Sequence, residues 1–388
     1  MTERLYYHDA RLRQFTAKVV DAQDEGRRIY LDRTAFYPTS GGQPHDKGML
    51  GGAAIVDVVD EEDRVAHVLA TPVQGTVVEG SIDWARRFDH MQQHTGQHLL
   101  SAVLEDLYQI PTVSFHLGQE SSTIDVGAAS LSTAQVDAIE KRANEVVCEN
   151  RRVSVEFEDA AQAKVLRKAS EREGILRIVT IEDLDRSACG GTHVEATGII
   201  GPLFLRKMDK IRGIVRMEFL CGSRAARRAR RDFDALSEIA RGLSAPLDET
   251  PLLVAGLNAR VQELEKSRRK LAMDLAVFQG KELYQSSEVD AGGRRRVVRT
   301  VAAIDEELRA LAQSFTAEPN AVFLAVSPTS SALLLAVSKD CGLHAGDLVK
   351  RAASALGGRG GGNVQVAQAS TPQERFAEFV AMVGDATT

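Results

Sequence analysis

The chain has no run of about 18 apolar residues, so no segment reads as a bilayer-spanning helix. Its first residues, MTERLYYHDARLR, are charged and lack the apolar stretch of a signal peptide. Cysteine is scarce: four in 388 residues, at positions 148, 189, 221 and 341. That scatter excludes a disulfide framework and predicts a reducing, cytoplasmic setting. Aromatic residues are only 5% of the chain, against 44% hydrophobic and 26% charged, a globular composition. A basic excess is also missing. The formal charge of −6 excludes a protein that binds polyanions with its whole surface, so any such contact must come from a local patch.

The length predicts more than one core. Residues 1–88 carry short β-branched runs (Thr16–Val20, Arg28–Asp32, Ala53–Val59, Val65–Ala70) broken by turns, a β-rich, barrel-like lobe. It contains the turn-rich stretch FYPTSGGQPHDKG, Phe36 to Gly48. Residues 89–235 read as an α+β domain. Asp89 with Gln92 has capping-box spacing for a helix that Pro111 stops. A strand with alternating Val113, Phe115 and Leu117 follows over 112–126, then a helix at Leu131–Asn150, a strand at Val153–Glu158 and a helix at Ala160–Arg172. Further strands are expected at Ile175–Ile181, Gly201–Lys207 and Val215–Cys221. In residues 236–285, Leu257, Val261, Leu264, Leu271, Leu275 and Phe278 form a heptad seam that Arg268 and Glu282 interrupt, which predicts a helical arm or helix pair. Residues 286–388 alternate helix and strand and close on GGRGGGNVQVAQAS, a small α/β domain with a glycine-rich loop. The fold class is α+β.

Two short motifs carry the chemistry. His94 and His98, in HTGQH, lie four apart and share one face of the predicted helix. Cys189 and His193, in CGGTH, form a second pair 91 residues after His98, with glycines that permit a tight loop. One cysteine and three histidines suit Zn2+. Taken singly, each pair is as well explained by core or surface residues, and a closed four-ligand set is also the pattern of a structural zinc. His90, one turn before His94, is the nearest rival ligand. His116 is placed opposite the apolar face of its strand, and His45 lies in the glycine stretch.

HTGQHLL, CGGTHV and FYPTSGGQPHDKG together resemble the editing domain of alanyl-tRNA synthetases, and most of all the freestanding AlaX-type editing proteins. SFHLG and STIDV resemble the same family, and GGRGGG…AQA resembles the synthetases' C-terminal domain, so the likeness touches nearly the whole chain. Only ~35 residues precede the glycine stretch, which is too few for an aminoacylation domain. The resemblance therefore implies a long-form AlaX protein that edits in trans. It implies His94, His98, Cys189 and His193 as zinc ligands. It implies hydrolysis of the ester joining serine, or glycine, to tRNA(Ala), with a homodimer through the C-terminal domain as a further expectation.

A site that accepts serine needs a polar reader, since packing alone rejects an added hydroxyl weakly. Thr112 and Ser114, with Thr123 on the next strand, are the candidate hydroxyl readers, each equally explicable as an ordinary strand residue. Gln43 and Asp46 of the glycine stretch either border the pocket or close a turn. RNA contact should follow charge. Residues 206–231 hold ten Lys/Arg against two acidic residues, and RAARRARR sets Arg224, Arg227, Arg228 and Arg231 along a predicted helix. Arg359 within GGRGGG is a further phosphate candidate, although Asn363-Val364-Gln365 departs from the family's continuation. Two rival functions remain: a tRNA-binding protein stapled by structural zinc, and an editor of another mischarged tRNA.

Overall fold

A computed structural model describes residues 1–161, 166–168 and 174–388. The chain divides into two compact units, Met1–Ile239 and Ala240–Thr388. The helix expected at Ala160–Arg172 falls largely outside the described residues.

Beside a short parallel pair, Glu3–Arg4 with Arg33–Thr34, the first unit has six strands ahead of its long helix: β1 (Gln14–Gln23), β2 (Arg28–Leu31), β3 (Gly48–Leu50), β4 (Ala53–Glu61), β5 (Arg64–Leu69) and β6 (Val77–Ile82). They pair in a closed ring in the order β1-β2-β5-β4-β3-β6. Alternating residues such as Phe15, Ala17, Ile29, Leu31, Val58 and Val65 fill its inside, the period-2 burial expected of strands facing a core on one side. The stretch Phe36–Gly48 leaves the ring as a loop. Asp46 fixes it by accepting from Tyr37 N (2.6 Å) and pairing with the fully buried Arg87.

Helix α1 (Trp84–Tyr108) begins six residues before the position that a cap at Asp89 would set. Asp83 is the N-cap, accepting from Arg86 N, whereas Asp89 lies inside the helix and pairs with Arg224. The capping-box spacing at Asp89 misled because Asp83 offers a cap just before Trp84. At the other end, Gln109 takes a left-handed φ of 55° ahead of Pro111. The region 112–126 is a hairpin of β7 (Thr112–Leu117) and β8 (Ser122–Val126), split by a turn at Gly118, with Val113 facing outward. Helix α2 (Thr133–Glu149) has the full capping box of Ser132 and Gln135. Then come β9 (Val153–Asp159), β10 (Ile175–Ile181), β11 (Asp185–Ala188), β12 (Leu203–Ile211), β13 (Ile214–Cys221) and α3 (Gly222–Gly242). Two sheets result, β12-β13-β8-β7 and β9-β10-β11. Leu99, Leu100, Val103 and Leu104 of α1 share a core with Ile139, Val146, Ile124, Met217 and Phe219. Each such side chain contributes roughly 1.5–3 kcal/mol on burial, and together they fix the rotation of α1 and hence where its histidines point.

In the second unit α4 (Thr250–Ser286) is one unbroken helix of 37 residues that runs through Arg268 and Glu282, with Pro251 harmlessly in its first turn. The seam residues Leu257, Val261, Leu264, Leu271, Leu275 and Phe278 are exposed. The remainder is β14 (Arg295–Thr300), α5 (Glu306–Thr316), β15 (Ala321–Ser327), β16 (Ala332–Val337), α6 (Ala345–Ala355), β17 (Arg359–Gly362), β18 (Val366–Ser370) and α7 (Phe376–Asp385). They form a five-stranded sheet, β14-β15-β16-β18-β17. The GGRGGG stretch, expected as a loop, supplies the edge strand β17. Its glycines allow that edge to lie close to β18, since a Cβ at Gly360 would stand 2.1 Å from Ala369 Cβ. The whole is mixed α+β. Among the described residues no helix is long and apolar enough to cross a membrane.

Candidate metal centre

His94 and His98 face the same way from α1, and the turn after β11 brings Cys189 and His193 to them. The four donor atoms lie within 4.8 Å of one another. Cys189 Sγ is 3.5 Å from His94 Nε2 and 3.4 Å from His193 Nε2. His90, the rival ligand, is buried but stands outside this cluster.

Each imidazole is held by its other nitrogen. His94 Nδ1 is 2.8 Å from Gln43 Oε1, which can only accept. His98 Nδ1 is 2.9 Å from Asp185 Oδ2. His193 Nδ1 is 3.2 Å from Thr95 Oγ1, whose proton already goes to Met91 O. All three Nδ1 atoms therefore donate, which turns every Nε2 towards the cluster. Fixing tautomer and ring orientation from behind is how proteins prepare histidines for a metal. The cysteine is prepared too: Gly191 N donates to Cys189 Sγ at 3.3 Å. Burial alone would raise its pKa, but His94 and His193 outweigh that and hold it well below the usual thiol value. Burial pushes His193 down to about 3, so its ring is neutral. At His98 burial also opposes the charge, yet the hydrogen bonds to Asp185 and Cys189 prevail and raise it to about 9 without metal. This donor set fits zinc: a thiolate and three imidazoles with Nε2 turned inward, the His98 Nε2 proton being the one a metal would displace.

Glycine is required at one point of the ligand loop. A Cβ on Gly191 would stand 2.2 Å from His94 Cε1. The cluster opens on a cavity of about 560 Å³ walled by Tyr6, Tyr37, Gln97, Phe115 and Arg177, with Ser40 and Gly41 at its border. The glycine stretch thus both borders the cavity and closes a turn.

The sequence-predicted residues distribute unevenly. Gln43 is fully buried behind His94, where its amide also exchanges hydrogen bonds with Thr192 (2.9 and 3.2 Å), so it positions a ligand and does not reach the cavity wall. Thr112 Oγ1 bonds Ser101 Oγ (2.6 Å), which accepts from the cavity residue Gln97 (2.8 Å), one step removed from the wall. Ser114 donates to Asp125 (2.7 Å), away from the cluster. His116 is exposed, and His45 contacts Asp57 and Thr39. Of the arginines, Arg224 is buried against Asp89 and is spent on the fold; Arg228 pairs with Asp232. Arg227 and Arg231 are exposed, with no carboxylate partner among the described residues, and Arg359 is exposed on β17. Sequence reasoning missed Thr95, Gln97, Asp185, Tyr6 and Arg177. Only Thr95 and Gln97 carried a signal, lying between the two histidines of α1.

The family model described as "Threonyl and Alanyl tRNA synthetase second additional domain" matches residues 176–217, and the DHHA1 domain matches residues 289–387. Alanine–tRNA ligases of Pyrococcus furiosus and Pyrococcus abyssi are 32% and 31% identical over 95% of this chain, which spans 42% of each ligase. A solved structure, the C-Ala domain of Aquifex aeolicus alanyl-tRNA synthetase, covers 23% of this chain and 86% of its own at 24% identity, with a TM-score of 0.20 too low to carry detail. The alanyl-tRNA editing protein AlaX-L of Pyrococcus horikoshii is 30% identical over 97% of both chains. A likeness of that extent, running through both units and both halves of the donor set, means that this chain belongs to the AlaX-L family of alanyl-tRNA editing proteins.

Proposed function

We propose that this chain is a zinc-dependent deacylase acting in trans on mischarged tRNA(Ala), with Ser-tRNA(Ala) as the principal substrate and Gly-tRNA(Ala) as a second. One observation carries the reading: a donor set preset for a metal stands at the wall of a cavity large enough for an aminoacyl end. His94, His98, Cys189 and His193 would hold the ion, and four protein ligands suit a bound zinc that positions and modestly polarises the ester. The chain's own groups then select the substrate. Gln97 is held through Nε2 by Ser101, itself braced by Thr112, which leaves Oε1 with no protein partner among the described residues. We assign it to the serine hydroxyl, with Thr112 as the brace. Alanine and glycine alike would leave that oxygen unpaired, so this contact favours serine over alanine and glycine would enter without it.

The exposed face of α3, with Arg227 and Arg231, is assigned to tRNA phosphates, as is Arg359 in the second unit. The exposed seam of α4 supports a homodimer through the C-terminal part. Four free thiols suit the cytoplasm. The deciding experiment presents zinc-loaded protein with Ser-tRNA(Ala), Gly-tRNA(Ala) and Ala-tRNA(Ala). Release of serine with alanine retained supports the reading. Equal cleavage overturns the specificity, and no cleavage leaves the zinc as a structural staple in a binding protein.

A further inference from the structure

Among the described residues three arginines are buried, and they differ in what answers their charge. Arg87 closes on Asp46 and Arg224 on Asp89. Arg177, 8% exposed on β10, has no carboxylate partner among the described residues. Its Nε donates to Tyr7 O (3.1 Å) and its Nη1 to Cys189 O (2.7 Å) and Gly191 O (3.0 Å), so Nη2 is left over. Carbonyls satisfy hydrogen bonds but do not neutralise a cation, and the anion that favours its charge, the Cys189 thiolate, belongs to the donor cluster that would hold the metal. Arg177 is also a wall of the cavity beside the donor cluster.

A second group on that wall is unsatisfied. Tyr6 is fully buried, yet its hydroxyl has no hydrogen-bond partner among the described residues. Buried hydroxyls are nearly always paired, and an unpaired one in a cavity wall points to a ligand that pairs it. The Tyr7 ring touches both, 5.0 Å from the Tyr6 ring and 5.4 Å from the guanidinium of Arg177, and lies 5.6 Å from that of Arg4. Arg4 is already paired with Asp60, which leaves Arg177 as the cation awaiting an anion.

We infer that Arg177 and Tyr6 together receive the phosphodiester on the 5′ side of the substrate's terminal nucleoside. The inference rests on the reading above, that the cavity takes the aminoacylated end of a tRNA. A phosphodiester brings one negative charge and two unesterified oxygens, suited to one guanidinium N–H and one hydroxyl. Arg177 donates to the backbone carbonyls of the Cys189–Gly191 loop and not to the sulfur, which leaves the donor cluster to the 3′ ester while the 5′ phosphate lies one ribose ring away.

The test uses full-length, zinc-loaded protein and a non-hydrolysable probe, 3′-serylamido-3′-deoxyadenosine, with and without a 5′-linked cytidylate. Binding is read by calorimetry, and the zinc content of every variant is measured because Arg177 also holds the ligand loop. The wild type should bind the cytidylyl probe on the order of tenfold more tightly than the bare nucleoside, the scale of one hydrogen-bonded charge contact. Arg177→Lys and Tyr6→Phe should each shrink that ratio several-fold. Tyr6→Phe deletes only an unpaired hydroxyl, so it should fold at least as stably as the wild type. Equal wild-type affinity for both probes overturns the inference, as does an unchanged ratio in Tyr6→Phe. An Arg177→Lys variant of full zinc content that loses both probes equally places the anion at the ester instead, which also overturns it. Failure of the wild type to bind either probe sinks the underlying reading of the cavity, a separate outcome.

Discussion

Replacing Asp185 by Asn should weaken zinc binding without unfolding the protein. Asp185 is buried, and its Oδ2 accepts from His98 Nδ1 while Oδ1 takes Arg167 Nε (2.6 Å) and Ser187 Oγ (2.9 Å). Burial raises its pKa, but the bonds from His98 and Arg167 outweigh this and bring it to about 2, so it is a carboxylate at every working pH. Asn keeps the shape and one acceptor oxygen and removes the charge. A charge-assisted hydrogen bond is about twice as strong as a neutral one. Loss of such a partner behind a ligating histidine typically reduces metal affinity about 10–100-fold, or roughly 1.4–2.7 kcal/mol. The assay is competition for zinc against a chromophoric chelator, with thermal melts of the metal-free forms beside it. A variant that melts like the wild type and binds zinc within twofold would refute the argument that the groups behind the imidazoles prepare this site.

Gly191→Ala should displace His94, because the added methyl would overlap its ring at 2.2 Å; metal analysis should show substoichiometric zinc in a folded protein. Arg87→Ala leaves Asp46 buried without its partner, and the denaturant midpoint should fall by the equivalent of about 3–5 kcal/mol. His67, buried between Thr34 Oγ1 (2.8 Å) and Ile29 O, is held neutral by burial, with its pKa lowered to about 4. Its folded pKa lies below its unfolded one, so its contribution is complete above about pH 6.5 and is lost as pH falls towards 4, about 3 kcal/mol in all. The difference in stability between wild type and His67→Phe, followed by urea unfolding across that window, should show this slope. Arg227→Ala with Arg231→Ala should weaken tRNA binding whatever the tRNA sequence, and the salt slope should fall by about one for each phosphate no longer neutralised.

The sequence made the four donors legible because an i,i+4 histidine pair and a glycine-spaced Cys/His pair are local patterns with a chemical meaning. The strands at Ile175–Ile181 and Ala332–Val337 were legible for a similar reason, since short, largely apolar runs bounded by turns leave little choice. What could not be read was pairing at a distance. Nothing near Asp89 announces that Arg224 takes it, so a spacing suited to a cap pointed to the wrong aspartate. The same holds for RAARRARR, where five arginines look alike in sequence but one is buried against a carboxylate and another pairs with Asp232. Closure of the β-rich lobe into a ring depends on β3 and β6 meeting, strands too short or too polar to stand out.

Gln43 shows why the glycine stretch belongs to the metal site at all. Its Oε1 accepts from both His94 Nδ1 and Thr192 N, and its Nε2 donates to Thr192 Oγ1. One side chain therefore ties the first half of the donor set, on α1, to the loop that carries the second half. It can do so only because Asp46 and Arg87 fix the loop's other end against the same helix, and Gly42, at φ 84°, lets the backbone come against Phe115 without a Cβ in the way. The loop, the helix and the CGGTH turn are thus held to one another by the chain's own hydrogen bonds. A centre assembled from such distant segments loses little further chain entropy on taking up zinc, so its affinity reports how well the lobes are packed.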